Sequence, residues 1–107
     1  MTGEDFLSVA DSLLEGSSEA DWRSAVSRAY YGAFHVARRL LHQCGFLVVS
    51  GEQAHAFMWM RLANSGHPDV VAAGKDLSEL RRNRNWADYE LERAYHHDVA
   101  ASRFGVP

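Results

Sequence analysis

One cysteine, Cys44, and two prolines, Pro68 and Pro107, are all that these 107 residues contain of either type. A single thiol excludes an intramolecular disulfide framework and suits a reducing compartment. With proline so scarce and strand-like alternation persisting nowhere, long helices meet few interruptions. No apolar run approaches the ~20 residues of a membrane span. The N-terminal MTGEDFLSVADSLLEG lacks the basic start and apolar stretch of a signal peptide. These absences predict a cytoplasmic protein with no membrane partner. Positive charge is also short: the net charge is −3 with six histidines neutral, so any anionic partner must be met by a local patch.

What is present suffices for one core. Hydrophobic residues make up 47% of the chain, which predicts a single domain over residues 1–107. A first helix is expected from about Glu4 to Glu15, with Phe6, Val9, Ala10 and Leu13 as its apolar stripe and Gly16 as its stop. Ser18, answered by Asp21, opens a second that runs to Cys44 along Trp22, Val26, Ala29, Ala33, Val36 and Leu40. Ser50 and Gln53 cap a third, which reaches about Ala63 and is apolar on nearly every side through AFMWMRLA. Pro68 suits the first turn of a fourth, with the stripe Val70, Ala73, Leu77, Leu80, position 84 and Ala87. A fifth is expected from Glu90 to Phe104. The architecture predicted is all-α, an up-and-down bundle of four to five helices.

Position 84 on that stripe is an arginine. Arg84 either snorkels over apolar neighbours, or pairs with Asp88 one turn on for about 0.3–0.5 kcal/mol, or holds its guanidinium at a groove to receive a phosphate. Arg81 lies at the edge of the same stripe. On the second helix, Arg28, Tyr31, Gly32, His35, Arg38, Arg39 and His42 recur every three or four residues and share one face. If this strip lies beside Arg84, the two form one electropositive groove with Tyr31, Trp86 or Tyr89 available for stacking. That combination suits single-stranded RNA or a nucleotide. No phosphate loop and no metal-ligand spacing occurs, so neither a metal nor a cofactor is predicted. Cys44 falls at a helix C-terminus, where the dipole disfavours a thiolate.

Two stretches in order, RSAVSRAYYGAFHVARRLL (residues 23–41) and LRRNRNWADYEL (residues 80–91), resemble the HEPN domain, a small helical module named for nucleotide binding. The resemblance covers roughly the whole chain and implies a HEPN-like bundle that dimerises. It also implies RNA or nucleotide as ligand, and a toxin-like or defence role beside a nucleotidyltransferase partner. Many members are metal-independent endoribonucleases, in which an Arg is followed after four to six residues by a His. Carried onto this sequence, the resemblance gives Arg84, Asn85, Asp88 and Tyr89 as candidate catalytic residues, with His35 as the nearest shared-motif histidine. Arg28, Tyr31, Arg38, Arg39 and Arg81 are then candidate RNA- or nucleotide-binding residues. The sequence departs from the catalytic pattern: counting from Arg84, the positions that would hold His are Tyr89, Glu90 and Leu91. The ribonuclease motif is therefore incomplete along the helix. A non-catalytic dimerisation or interaction module, using Phe57, Met58, Trp59 and Met60, is the alternative reading.

Overall fold

The computed structural model describes residues 1–48, 51 and 53–102, and these form the helical bundle expected. The helices are α1 (Gly3–Leu14), α2 (Glu19–Gln43), α3 (Gln53–Ala63), α4 (Pro68–Tyr89) and α5 (His97–Ser102), with no strand among the described residues. The start signals act as read. Ser18 Oγ accepts from the Asp21 N–H at 3.1 Å, and Pro68 sits in the first turn of α4. The turn after α1 is closed by Trp22 Nε1, which donates to the Gly16 carbonyl at 2.9 Å. The expected Ser50–Gln53 cap lies outside the described residues.

The buried face of α2 is rotated from the one predicted. Val26 and Ala29 are buried, but Leu40 is 50% exposed, and Tyr30, Phe34 and Leu41 fill the core instead. The two aromatic rings of Tyr30 and Phe34 offer far more area to bury than Ala33 and Val36 do. Gly32, counted with the basic face, belongs to the crossing with α1. A Cβ there would lie 2.7 Å from Leu7 Cδ2 and 2.9 Å from the Gly3 carbonyl, so only glycine allows this approach. On α4, Ala73 is exposed and Gly74 makes the close approach to α3, where a Cβ would come 2.8 Å from Leu62 Cβ.

The largest departure is at the end of the chain. In place of a helix that starts at Glu90, a turn over residues 90–96 leads into α5, and the expected end at Phe104 lies outside the described residues. Arg23 explains it. This α2 side chain is only 8% exposed. Its Nη1 donates to the Ala87 carbonyl at 2.9 Å and the Trp86 carbonyl at 3.2 Å, and its Nη2 donates to the Arg93 carbonyl. Glu19 Oε1 faces Nη2 at 3.0 Å and Nε at 3.2 Å. The last four carbonyls of a helix have no partner within it and carry the negative end of its dipole. One planar guanidinium serves two of them and also bridges to the turn beyond.

Tyr95 locks the same junction. It is buried, its backbone N–H donates to Glu19 Oε1 at 2.9 Å, and its ring lies under the Arg23 guanidinium. The hydroxyl donates to Asn83 Oδ1 at 2.8 Å, and Asn83 Nδ2 donates to the Val99 carbonyl of α5 at 3.3 Å. Burial pushes the Tyr95 phenol up to about 12. It therefore stays a donor throughout the neutral range. In urea denaturation, Arg23→Ala is expected to lower the unfolding free energy by about 3 kcal/mol, because carbonyls and Glu19 lose a charged partner together. Arg23→Lys should recover less than half of that, since an ammonium cannot reproduce the fork. A loss below about 0.5 kcal/mol, the range of an ordinary surface change, would remove Arg23 from this role.

Candidate functional site

The last three turns of α4 face α2 and α3, and Arg84 and Asp88 are held from the α2 side. Arg84 is neither free nor snorkelling outward: its side chain is 16% exposed. Nη2 donates to the Tyr31 hydroxyl of α2 at 2.7 Å, and Nη1 donates to Asn85 Oδ1 at 3.0 Å. Nε stands 2.9 Å from Asp88 Oδ2, an ion pair without a directed hydrogen bond. That same carboxylate oxygen accepts from Ser27 Oγ of α2 at 3.2 Å. The rings of Tyr31 and Tyr89 each lie 5.3 Å from the guanidinium carbon. Of its five N–H groups, two on the terminal nitrogens are left without a protein partner.

Arg84 opens on a cleft of about 540 Å³ lined also by Tyr31, His55, Arg81, Asn85 and Tyr89. None of the described lining residues is acidic, because Asp88 is turned towards Ser27 and does not line the cleft. Arg81 has neither a hydrogen bond nor an ion pair with any described residue, and its Nε is buried. Arg81 and Arg84, three apart on one helix face, therefore repel one another with no acid between them.

His55, from α3, is the residue that sequence reasoning missed. A search for His along the same helix as Arg84 cannot find one brought in by another helix. Its Nδ1 is hydrogen-bonded to the Tyr30 hydroxyl. Tyr30 is buried, and burial pushes its phenol up to about 12, against the attraction of Arg81 and Arg84 for a phenolate. The hydroxyl keeps its proton, and that proton has no other acceptor among the described residues. A buried donor left unpaired costs about 1–3 kcal/mol, so Tyr30 donates to Nδ1 and the ring proton resides on Nε2. Burial, then the charges of Arg81 and Arg84, hold the His55 imidazolium below its ordinary 6.5. At neutral pH His55 is thus an uncharged donor beside two guanidinium groups.

The other candidates do not line this cleft. His35 stacks on Phe6 of α1 at 5.7 Å, and Arg28 lies over the same ring and, at 5.5 Å, over that of Tyr31. Arg39 is paired with Glu4, whose carboxyl it pulls down to about 2. Arg38 reaches the Val48 carbonyl at 3.5 Å, and His42 Nε2 accepts from the Val48 N–H at 3.2 Å. His35 and Arg39 line a separate cavity with Phe6 and the first residues of the chain. The basic strip of α2 is thus largely engaged by α1, and Tyr31 alone of its members joins Arg84. Trp86 is covered by the Arg93 guanidinium, 3.7 Å from its ring centre, and meets Tyr95 edge-on. Among the described residues, no three His, Cys, Asp or Glu side chains converge as metal ligands, and no helix is long and apolar enough to cross a membrane. Comparison with models of protein families, with curated proteins and with solved structures finds no match for this chain.

The lowered His55 value has a definite sign. Between the folded and the unfolded pKa, the unfolded chain binds the extra proton, so stability rises with pH there. Stability is full above 6.5 and declines as pH falls through that value. Among the described residues, the titratable and charged groups acting on the ring are Tyr30 of α2 with Arg81 and Arg84 of α4, and the apolar ring of Phe34 packs on it at 4.6 Å. The thermal midpoint of the wild type should therefore fall more steeply than that of His55→Gln between pH ~7 and ~5.5. Parallel profiles would contradict the buried, neutral imidazole.

Proposed function

We propose that the cleft between α3 and α4 binds a phosphate of single-stranded RNA or of a nucleotide, and that the chain is a HEPN-type RNA- or nucleotide-associated protein. The observation that carries this is Arg81, a cation without an acidic partner among the described residues, beside a rigidly held Arg84 and a neutral histidine donor. A phosphate would relieve the repulsion between the two arginines and use the two N–H groups that Arg84 has left. The resemblance places such a protein in a toxin-like or defence role next to a nucleotidyltransferase partner.

The arrangement favours retention of RNA over its cleavage. Attack by a 2′-hydroxyl needs a base, and His55 with Nδ1 occupied and Nε2 protonated has no lone pair to offer. Asp88 is committed to Arg84 and Ser27.

A second reading, the interaction module, was expected on Phe57, Met58, Trp59 and Met60, but Met58 is fully buried in the core; it draws instead on an apolar groove of about 490 Å³ bounded by Leu7, Val36, Leu40, Leu62, Leu77 and Leu80. A second copy of this chain is the occupant that the resemblance implies. On that reading Leu40→Asp converts a dimer to a monomer in sedimentation, while a monomeric wild type at high micromolar concentration removes it.

For the RNA reading, the measurement is fluorescence anisotropy of a labelled single-stranded RNA at low salt. Arg81→Ala and Arg84→Ala should each weaken binding about tenfold, and each should lower the slope of log affinity against log salt by about 0.7. Arg93→Ala, whose side chain lies on Trp86 outside the cleft, should bind as the wild type does. RNA that is not retained at all, or is retained equally by all three variants, refutes the assignment of this cleft.

A further inference from the structure

We propose that the small cavity next to the cleft, walled by Trp59, is a nucleobase slot, so that the ligand is read as one phosphate plus one unstacked base. This rests on the reading of the neighbouring cleft as a phosphate site.

The cavity measures about 120 Å³ and lies between α3 and α4, with Tyr30 and Leu77 as its floor, Trp59 as a wall and Ser78 at its rim. His55 and Arg81 line both this cavity and the larger cleft. The two are therefore neighbouring compartments separated by the same two side chains. Helix geometry explains the alignment. His55 and Trp59 are four apart on α3, and Ser78, Arg81 and Arg84 are three apart on α4, so each set forms a ladder along one face. The step from His55 to Trp59 is ~6 Å of helix rise, the scale of one nucleotide.

Size and chemistry narrow the occupant. Sites for whole drug-sized ligands run to about 300–1,000 Å³, so this cavity is too small for an intact nucleotide, though it can take part of one. Its floor is apolar, its wall is a large π-face, and the Ser78 hydroxyl, without a hydrogen bond to any described residue, can meet the polar edge of a ring. Among the aromatic residues near the cations, Tyr31 and Tyr89 already flank Arg84, and Trp86 is covered by Arg93. Trp59, 42% exposed, has no ring or cation of a described residue stacked on it. It is the indole left open beside Arg81.

The test compares two labelled probes of equal length, a single-stranded oligoribonucleotide and its abasic counterpart with the same phosphates, using Trp59→Ala, Trp59→Phe and Ser78→Ala. Trp59→Ala should weaken binding of the base-bearing strand about tenfold and leave the abasic strand unchanged. Trp59→Phe should restore most of the difference, and Ser78→Ala should cost about threefold on the base-bearing strand alone, a hydrogen bond's share. Equal weakening of both probes by Trp59→Ala, or none on either, overturns the slot while Arg81 and Arg84 still govern retention. Failure of the wild type to retain either probe instead overturns the phosphate reading beneath it. Trp59 is substantially exposed, so the Ala variant should fold. Should its circular dichroism melt show otherwise, Trp59→Phe and Ser78→Ala decide the matter by the same comparison.

Discussion

The buried guanidinium of Arg23 sets the register on which everything else in this molecule depends. It stands at the start of a polar seam between α2 and α4: Arg23 on the Trp86 and Ala87 carbonyls, Ser27 on Asp88, and Tyr31 on Arg84. These α2 residues recur every four positions, so one face of one helix grips the last two turns of its neighbour. Each contact is modest by itself. Together they forbid the rotation or sliding of α4 that would carry Arg81 and Arg84 out of the cleft. The apolar core alone does not specify this register, because Leu77 and Leu80 would remain buried through small rotations. The polar seam is directional and tolerates none.

That seam also explains how much was legible beforehand. Ser18, Gly16 and Pro68 punctuate the chain by local chemistry, and helix starts read from them are correct to within a residue. The arginine at position 84 was conspicuous because it breaks an apolar rhythm, and it does turn out to be largely enclosed. Arg23 was not conspicuous. An arginine in the first turns of a long helix reads as surface, and only the fold reveals carbonyls from residues 86, 87 and 93 converging on it. Without that knowledge, the weak apolar pattern after Glu90 reads as one last helix starting there. Asn83 was hidden in the same way, since its value lies in joining Tyr95 to Val99 and neither partner is near in sequence.

His55 illustrates a different limit. Spacing rules find groups that one helix carries on one face, whereas a site assembled from three helices leaves no periodic trace. The trace that did exist was compositional. AHAFMWMRLA is apolar on nearly every side, yet its two ionisable residues are not equivalent: Arg61 lies against Phe46 and Phe57, while His55 points to Tyr30 and the arginines of α4. The excess of apolar residues on α3 likewise divides between the core, where Met58 is fully buried, and the Trp59 side that walls the cavity.

The neutrality of His55 bears on what the cleft does with an anion. A bound phosphate reverses the local field and favours the imidazolium. Protonation would place a hydrogen on Nδ1, directly facing the Tyr30 hydroxyl. Tyr30 would then have to turn its own proton away from Nδ1, in a buried position that offers it no other acceptor among the described residues. The two demands oppose each other, and Tyr30 limits how far anion binding can charge the ring. The imidazole is better suited to donating one neutral hydrogen bond from Nε2 than to shuttling a proton. Two guanidinium groups and one neutral donor suit the anion-holding role proposed for the cleft, and no described group there is poised to accept the proton that chemistry would release.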